Sequence, residues 1–145
     1  MAAISTVIPV VAVALIGSDG RVLMQQRRFK AMHGGLWEFP GGKVEPSESP
    51  ESALLREIDE ELGIRIDSQS LIATAFASDP ALPPAPRVPH VILLYTCRRW
   101  DGEPRCLDGE QIAWVQPGDL AGLAMPPLDY PLARQLVKLL AAGAI

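Results

Sequence analysis

Gly42-Lys43-Val44-Glu45-Pro46-Ser47-Glu48-Ser49-Pro50-Glu51-Ser52-Ala53-Leu54-Leu55-Arg56-Glu57-Ile58-Asp59-Glu60-Glu61-Leu62-Gly63-Ile64 opens as a polar loop and continues as a helix. Residues 43 to 49 have no apolar period and read as loop. Ser49 is a residue type that caps helix N-termini, and Pro50 loses nothing at the first helical position because its missing N–H would be unbonded there anyway. Glu51 suits the positive end of the helix dipole, and Gly63 supplies a left-handed stop. The signals predict a helix over 50–62. Leu54, Leu55, Ile58 and Leu62 recur at helical spacing and form one stripe that must face a core.

The other face carries the chemistry. Glu57, Glu60 and Glu61 stand at i, i+3 and i+4, with Asp59 alongside, so several carboxylates crowd one patch. Like charges at this spacing destabilise a helix by several tenths of a kcal/mol per pair, and Arg56 offsets only part of that. Taken alone, such a face is more often simply solvated. The functional alternative is a hard divalent cation, which prefers carboxylate oxygen and bridges to phosphates.

Outward from the helix, Val7 to Ile16 is rich in β-branched residues, Ser18-Asp19-Gly20 supplies turn chemistry, and Arg21 to Arg28 resumes extended; together they predict a hairpin. Leu36 to Phe39 is a short apolar run stopped by Pro40-Gly41-Gly42. Further strands are predicted over 70–76, 91–98 and 112–115, and an amphipathic helix over 132–140. Strands with two packed helices give an α/β class with a mixed sheet. The run of Pro80, Pro83, Pro84, Pro86 and Pro89 reads as a stiffened surface loop rather than a PxxP ligand.

A chain of 145 residues with 48% hydrophobic and 21% charged positions predicts one globular domain over 1–145. A net charge of −4 and a pI near 5.1 argue against duplex nucleic acid as partner, while a small phosphorylated molecule is compatible if a bound cation inverts the local field. Cys97 and Cys106 are too few for a disulfide framework and read as reduced thiols. The apolar stretch near the N-terminus has no preceding Lys or Arg, is interrupted by Pro9 and is too short to span a bilayer. It reads as a buried strand, with a cytoplasmic location and no membrane partner as the expectation.

Gly42, Glu48 and Arg56-Glu57-Ile58-Asp59-Glu60-Glu61-Leu62-Gly63-Ile64 together resemble the Nudix box: Gly, five residues, Glu, seven residues, then Arg-Glu-aliphatic-any-Glu-Glu-any-Gly-aliphatic. Every defined position is filled. Flanking runs at residues 35–45, 98–104 and 125–132 are similar to the MutT-type nucleoside triphosphate pyrophosphohydrolases. The resemblance spans about residues 7–140. It implies an α/β/α sandwich with a mixed sheet between helices, and hydrolysis of a nucleoside triphosphate to monophosphate and pyrophosphate with Mg²⁺, or Mn²⁺. Oxidised purines such as 8-oxo-dGTP are the implied substrates, with a CTP-type pyrimidine nucleotide as the alternative.

By the same resemblance, Glu57, Glu60 and Glu61 would hold the metals, with Gly41 and Glu48 contributing or supporting. Arg56 would orient a carboxylate, and Glu57, before Glu60, would take the proton from water. Arg27, Glu38, Phe39, Lys43 and Asp129 would meet the nucleotide, Asp129 standing where the prototype uses Asn to read the base. The distal metal ligand would be Asp108 or, with a shifted register, Glu110. Trp37 is expected to pack, and His90 to be structural or solvent-facing. A non-catalytic nucleotide sensor would require loss of a metal-binding Glu, and none is lost. A monomer is expected.

Overall fold

A computed structural model describes residues 6–79 and 88–145. The Pro-rich run from Pro80 to Pro86 lies outside the described residues. Two sheets lie between two helices. The first has the order β4-β1-β6-β5, formed by β1 (Ile8–Leu15), β4 (Gly41–Lys43), β5 (Ile72–Ser78) and β6 (His90–Cys97). It is mixed: β1 runs parallel to β6, while β4 and β5 pair antiparallel with their neighbours. The second, β3-β2-β7, is antiparallel and comprises β2 (Val22–Gln26), β3 (Trp37–Glu38) and β7 (Gln111–Val115).

The hairpin expected from β1 and β2 does not form as a ladder. A tight turn joins them, with Gly17 N–H on the Arg21 carbonyl at 2.9 Å, but only the bridge between Ile16 and Val22 links the two strands before they part into different sheets. Both faces of β1 are apolar, and that is the reason. Val11, Val13 and Leu15 belong to a core with Leu54, Ile58 and Leu62 of helix α1 (Pro50–Leu62). Ala12, Ala14 and Ile16 belong to a second core with Leu132, Ala133 and Leu136 of helix α2 (Asp129–Ala141). A strand buried on both sides is a central strand, and β1 has β4 and β6 as its neighbours.

Helix α1 has the predicted ends. The Ser49 hydroxyl accepts from Ser52 N–H at 3.1 Å, and Gly63 closes the helix at φ 68°. The other boundaries shift. Helix α2 begins three residues before the apolar period, which brings Asp129 into its first turn. A short 3₁₀ turn at Ser68–Ser70 displaces β5 to Ile72–Ser78. Strand β4 is unexpected because Gly-Gly reads as a breaker; here a Cβ at Gly41 would lie 2.7 Å from Ala12 Cα, so only glycine lets this backbone approach β1. Among the described residues no helix is long and apolar enough to cross a membrane.

Candidate active site

The site begins where β4 meets α1. The missing side chain of Gly42 makes room for Glu57: a Cβ there would stand 2.5 Å from Glu57 Oε1. Gly41 N–H donates to Glu61 Oε2 at 3.0 Å. Glu61 is buried, at 8% exposure, and its carboxyl is pushed up to about 9, first by desolvation and then by the charges of Glu57, Glu38 and Asp108. Glu61 therefore feels the charges of three other acids, Glu57 on its own helix, Glu38 on β3 and Asp108 in the segment before β7. The segment bearing Asp108 is held there by backbone bonds, Arg105 N–H to the Leu62 carbonyl and Leu107 N–H to the Glu61 carbonyl, at 2.9 and 3.0 Å. These also satisfy carbonyls of the last helical turn, which lack intrahelical partners.

Arg56 organises the flank. Its guanidinium donates to both oxygens of Glu48, at 2.8 Å each, and to Glu57 Oε1 at 3.0 Å. The forked pairing, with the Glu45 backbone bond second, holds the Glu48 carboxyl down at about 2. Ser47, at φ 70°, turns the loop so that Glu48 Oε1 also accepts Glu45 N–H at 2.9 Å. Glu48 is thus engaged by Arg56, whereas Glu60 is 60% exposed and lies 3.5 Å from Arg56. Carboxylate oxygens around a buried acid suit a hard divalent cation in their donor chemistry. In this conformation no three His, Cys, Asp or Glu side chains among the described residues converge as a complete ligand set.

A cleft of about 520 Å³ adjoins the acids, with Arg27, Glu38, Phe39, Gly41, Gly42, Lys43, Ile92, Pro126 and Asp129 in its lining. Arg27 donates to both oxygens of Glu38, at 3.0 and 3.1 Å, so it is a paired charge rather than a free one. Burial, first, raises the Glu38 carboxyl despite that partner. Asp129 is 5% exposed, and its Oδ2 accepts Phe39 N–H at 3.2 Å. Desolvation pushes its carboxyl up to about 7; the Phe39 bond and Arg27 oppose this, and Glu38 adds to it.

The structure places Arg27, Glu38, Phe39, Lys43 and Asp129, the residues the resemblance implied as nucleotide contacts, in the lining of one cleft. Trp37 packs against the α2 core. Glu110 and Asp108 both reach the loop after β2: Glu110 Oε1 accepts Phe29 N–H at 3.2 Å, and Asp108 Oδ1 stands 3.7 Å from the Arg28 guanidinium. His90 is neither core nor remote, since it lines the far end of the cleft with Asp79, Nδ1 standing 3.6 Å from Oδ2. Met32 and His33 also line the cleft and were not read from the sequence. Nothing in their local pattern marks them, because a loop side chain is placed by tertiary packing. Gln25 was missed too, though it carried a signal: a polar residue in the apolar run Val22-Leu23-Met24.

Residues 6–140 match the NUDIX domain family. The chain is 34% identical over 132 residues to the CTP pyrophosphohydrolase of Escherichia coli K12, covering 91% of this chain and 93% of that one. It is 31% identical over 131 residues to the 8-oxo-dGTP diphosphatase of the same organism, covering 89% and 96%. The solution structure of the E. coli ORF135 protein superposes with a TM-score of 0.81 at 30% identity, covering 95% of this chain and 94% of that one. With a match across nearly its whole length and the acid-bearing helix at its centre, the chain belongs to the Nudix hydrolase family.

Proposed function

We propose that the protein hydrolyses a nucleoside triphosphate to its monophosphate and pyrophosphate with a divalent cation, Mg²⁺ or Mn²⁺. The observation that carries this reading is the burial of Glu61 among the charges of Glu57, Glu38 and Asp108 at the edge of a nucleotide-sized cleft. Such a group of acids is costly without a cation and useful with one. Glu57, Glu61, Asp108 and the Gly41 carbonyl are the groups we assign to hold it, with Glu60 joining by rotation from its exposed position. When bound, the cation lowers the pKa of water and neutralises phosphate oxygens. Glu57 accepts the proton from the attacking water. Arg56 is a positioning residue: anchored on Glu48, it fixes the Glu57 carboxylate. Lys43 meets the polyphosphate and offsets part of its charge, and Arg27, already paired with Glu38, stands beside it as a hydrogen-bond donor.

On the base side, Asp129 keeps one oxygen on Phe39 N–H, so its other oxygen is the group that reads a base edge. Its carboxyl, lifted to about 7, is partly ionised near neutral pH, and the ionised form only accepts. Guanine presents acceptors along its N7 and O6 edge, whereas 8-oxoguanine gains an N7–H donor, so this oxygen favours the oxidised base. The exocyclic amine of cytosine is also a donor, and the 34% identity to a CTP pyrophosphohydrolase favours that second reading. The test is pyrophosphate release from 8-oxo-dGTP, dGTP, CTP and dCTP with Mg²⁺. We expect 8-oxo-dGTP to lead in kcat/KM and EDTA to abolish turnover. Glu57→Gln should lower kcat by at least about 10², the scale of losing a general base or a metal ligand. Cytidine nucleotides leading would install the second reading, and full activity in excess EDTA would remove the metal mechanism.

A further inference from the structure

Gln25 is the residue of β2 whose chemistry does not match its surroundings. Strand alternation places it on the face of Leu23, which packs in the α1 core, and it is 2% exposed. Its Oε1 is the one buried side-chain oxygen or nitrogen among the described residues with no hydrogen-bond partner. Packing alone would put an apolar residue there, as it does at Leu23. A buried carbonyl without a donor opposes folding, so its place calls for something that donates.

The neighbours show what kind of donor fits. In the antiparallel register Gln25 stands opposite Glu38, and directly opposed side chains share a face. Gly109, adjacent to Asp108, lies so close that a Cβ would come 2.8 Å from Gln25 Cγ. That same segment is tied to α1 through Leu107 N–H on the Glu61 carbonyl, at 3.0 Å. The amide thus sits beside the segments that carry Glu38, Asp108 and Glu61. With a cation bound the acids around it ionise, and ionised carboxylates accept only and cannot satisfy a carbonyl oxygen. A hydrated cation can: Mg²⁺ keeps several of its waters, and each needs acceptors for its protons.

We propose that Gln25 is a positioning residue for the cation site, its amide oxygen accepting a hydrogen bond from a water that the hydrated cation carries. The inference rests on the cation reading above and extends it to a residue outside the signature motif. Outer partners of this kind are worth about 10- to 100-fold in metal affinity.

The experiment titrates Mn²⁺ into the full chain by electron paramagnetic resonance, comparing wild type, Gln25→Met and Glu57→Gln, with thermal melts of each in EDTA. Gln25→Met should weaken Mn²⁺ binding about tenfold, leave the nucleotide KM at saturating Mn²⁺ unmoved, and melt no lower than wild type without cation, because methionine fills the space with no unmet oxygen. A merely structural glutamine would give the reverse, a lower melt with Mn²⁺ affinity within twofold of wild type, and that overturns the proposal. Wild type binding Mn²⁺ no tighter than Glu57→Gln would instead remove the cation site itself. If Gln25→Met does not fold, the side-chain amide resonance of Gln25 in the wild type decides: a shift saturating with Mg²⁺ supports the proposal, and an unmoved resonance overturns it.

Discussion

Asp108 and Glu110 are two residues apart and engaged differently, which gives alanine substitutions unequal consequences. The charge of Asp108 acts on Glu61, whereas Glu110 caps the Phe29 N–H of a neighbouring loop. Asp108→Ala should raise the Mg²⁺ concentration needed for half-maximal activity by about tenfold or more, and Glu110→Ala should leave it nearly unchanged. Identical Mg²⁺ titrations for the two variants would contradict the assignment of the distal ligand. Asp129 carries a pH signature of its own. Burial, above all, lifts its carboxyl from the ordinary 3.8 to about 7 in the folded protein. The folded state therefore favours the protonated form. Its contribution to stability is complete below about 3.8 and is lost as pH rises to about 7. Asp129→Asn has no proton to lose. The variant should gain on the wild type in melts from pH 4 to 7, on the order of a few kcal/mol, and stay level above. Melting curves that run parallel with pH would contradict this.

The short strand β4 shows how much one element can decide. At Gly41 an added Cβ meets the backbone of Val11 and Ala12, which cannot yield without breaking the pairing with β1; at Gly42 it meets the end of the Glu57 side chain, which can swing away. Gly41→Ala should therefore lower the melting temperature sharply. Gly42→Ala should fold and lose most activity with the displaced carboxylate, and a Gly42→Ala enzyme with wild-type kcat would show that Glu57 needs no such seat. The same element marks the limits of reading the chain. Helix α1 was legible because capping is local: Ser49, Pro50 and Gly63 announce its ends without reference to the rest of the fold. Strand β4 was not, since Gly41 and Gly42 are chosen by neighbours distant in sequence. The parting of β1 and β2 into two sheets was hidden for a similar reason, because a tight turn looks alike whether its strands pair or diverge. The crowding of Glu57 and Glu61 followed from helical spacing. The engagement of Glu48 by Arg56 and the approach of Asp108 depend on loops that only the folded molecule defines.

At the level of the whole molecule, the acids should make stability depend on the cation. A ligand present at a hundredfold its Kd adds about 2.7 kcal/mol to the folded state. For a chain of this length that is a rise in melting temperature on the order of 5–10 °C with saturating Mg²⁺, reversed by EDTA. Calorimetric melts unchanged by Mg²⁺ would argue against a cation at Glu61. The two cores flanking β1 carry a further implication. The acids of α1 rest on the core of Leu54, Ile58 and Leu62, whereas Asp129 rests on that of Leu132 and Leu136, and the segment from β3 to β4, with Phe39 and Pro40, passes from one sheet to the other. On the reading proposed above, bond cleavage and base choice are mounted on separate supports. Substitutions around α2 would then retune which nucleotide is accepted while the cleavage machinery keeps its alignment, and substrate choice would diversify by drift in one half of the molecule.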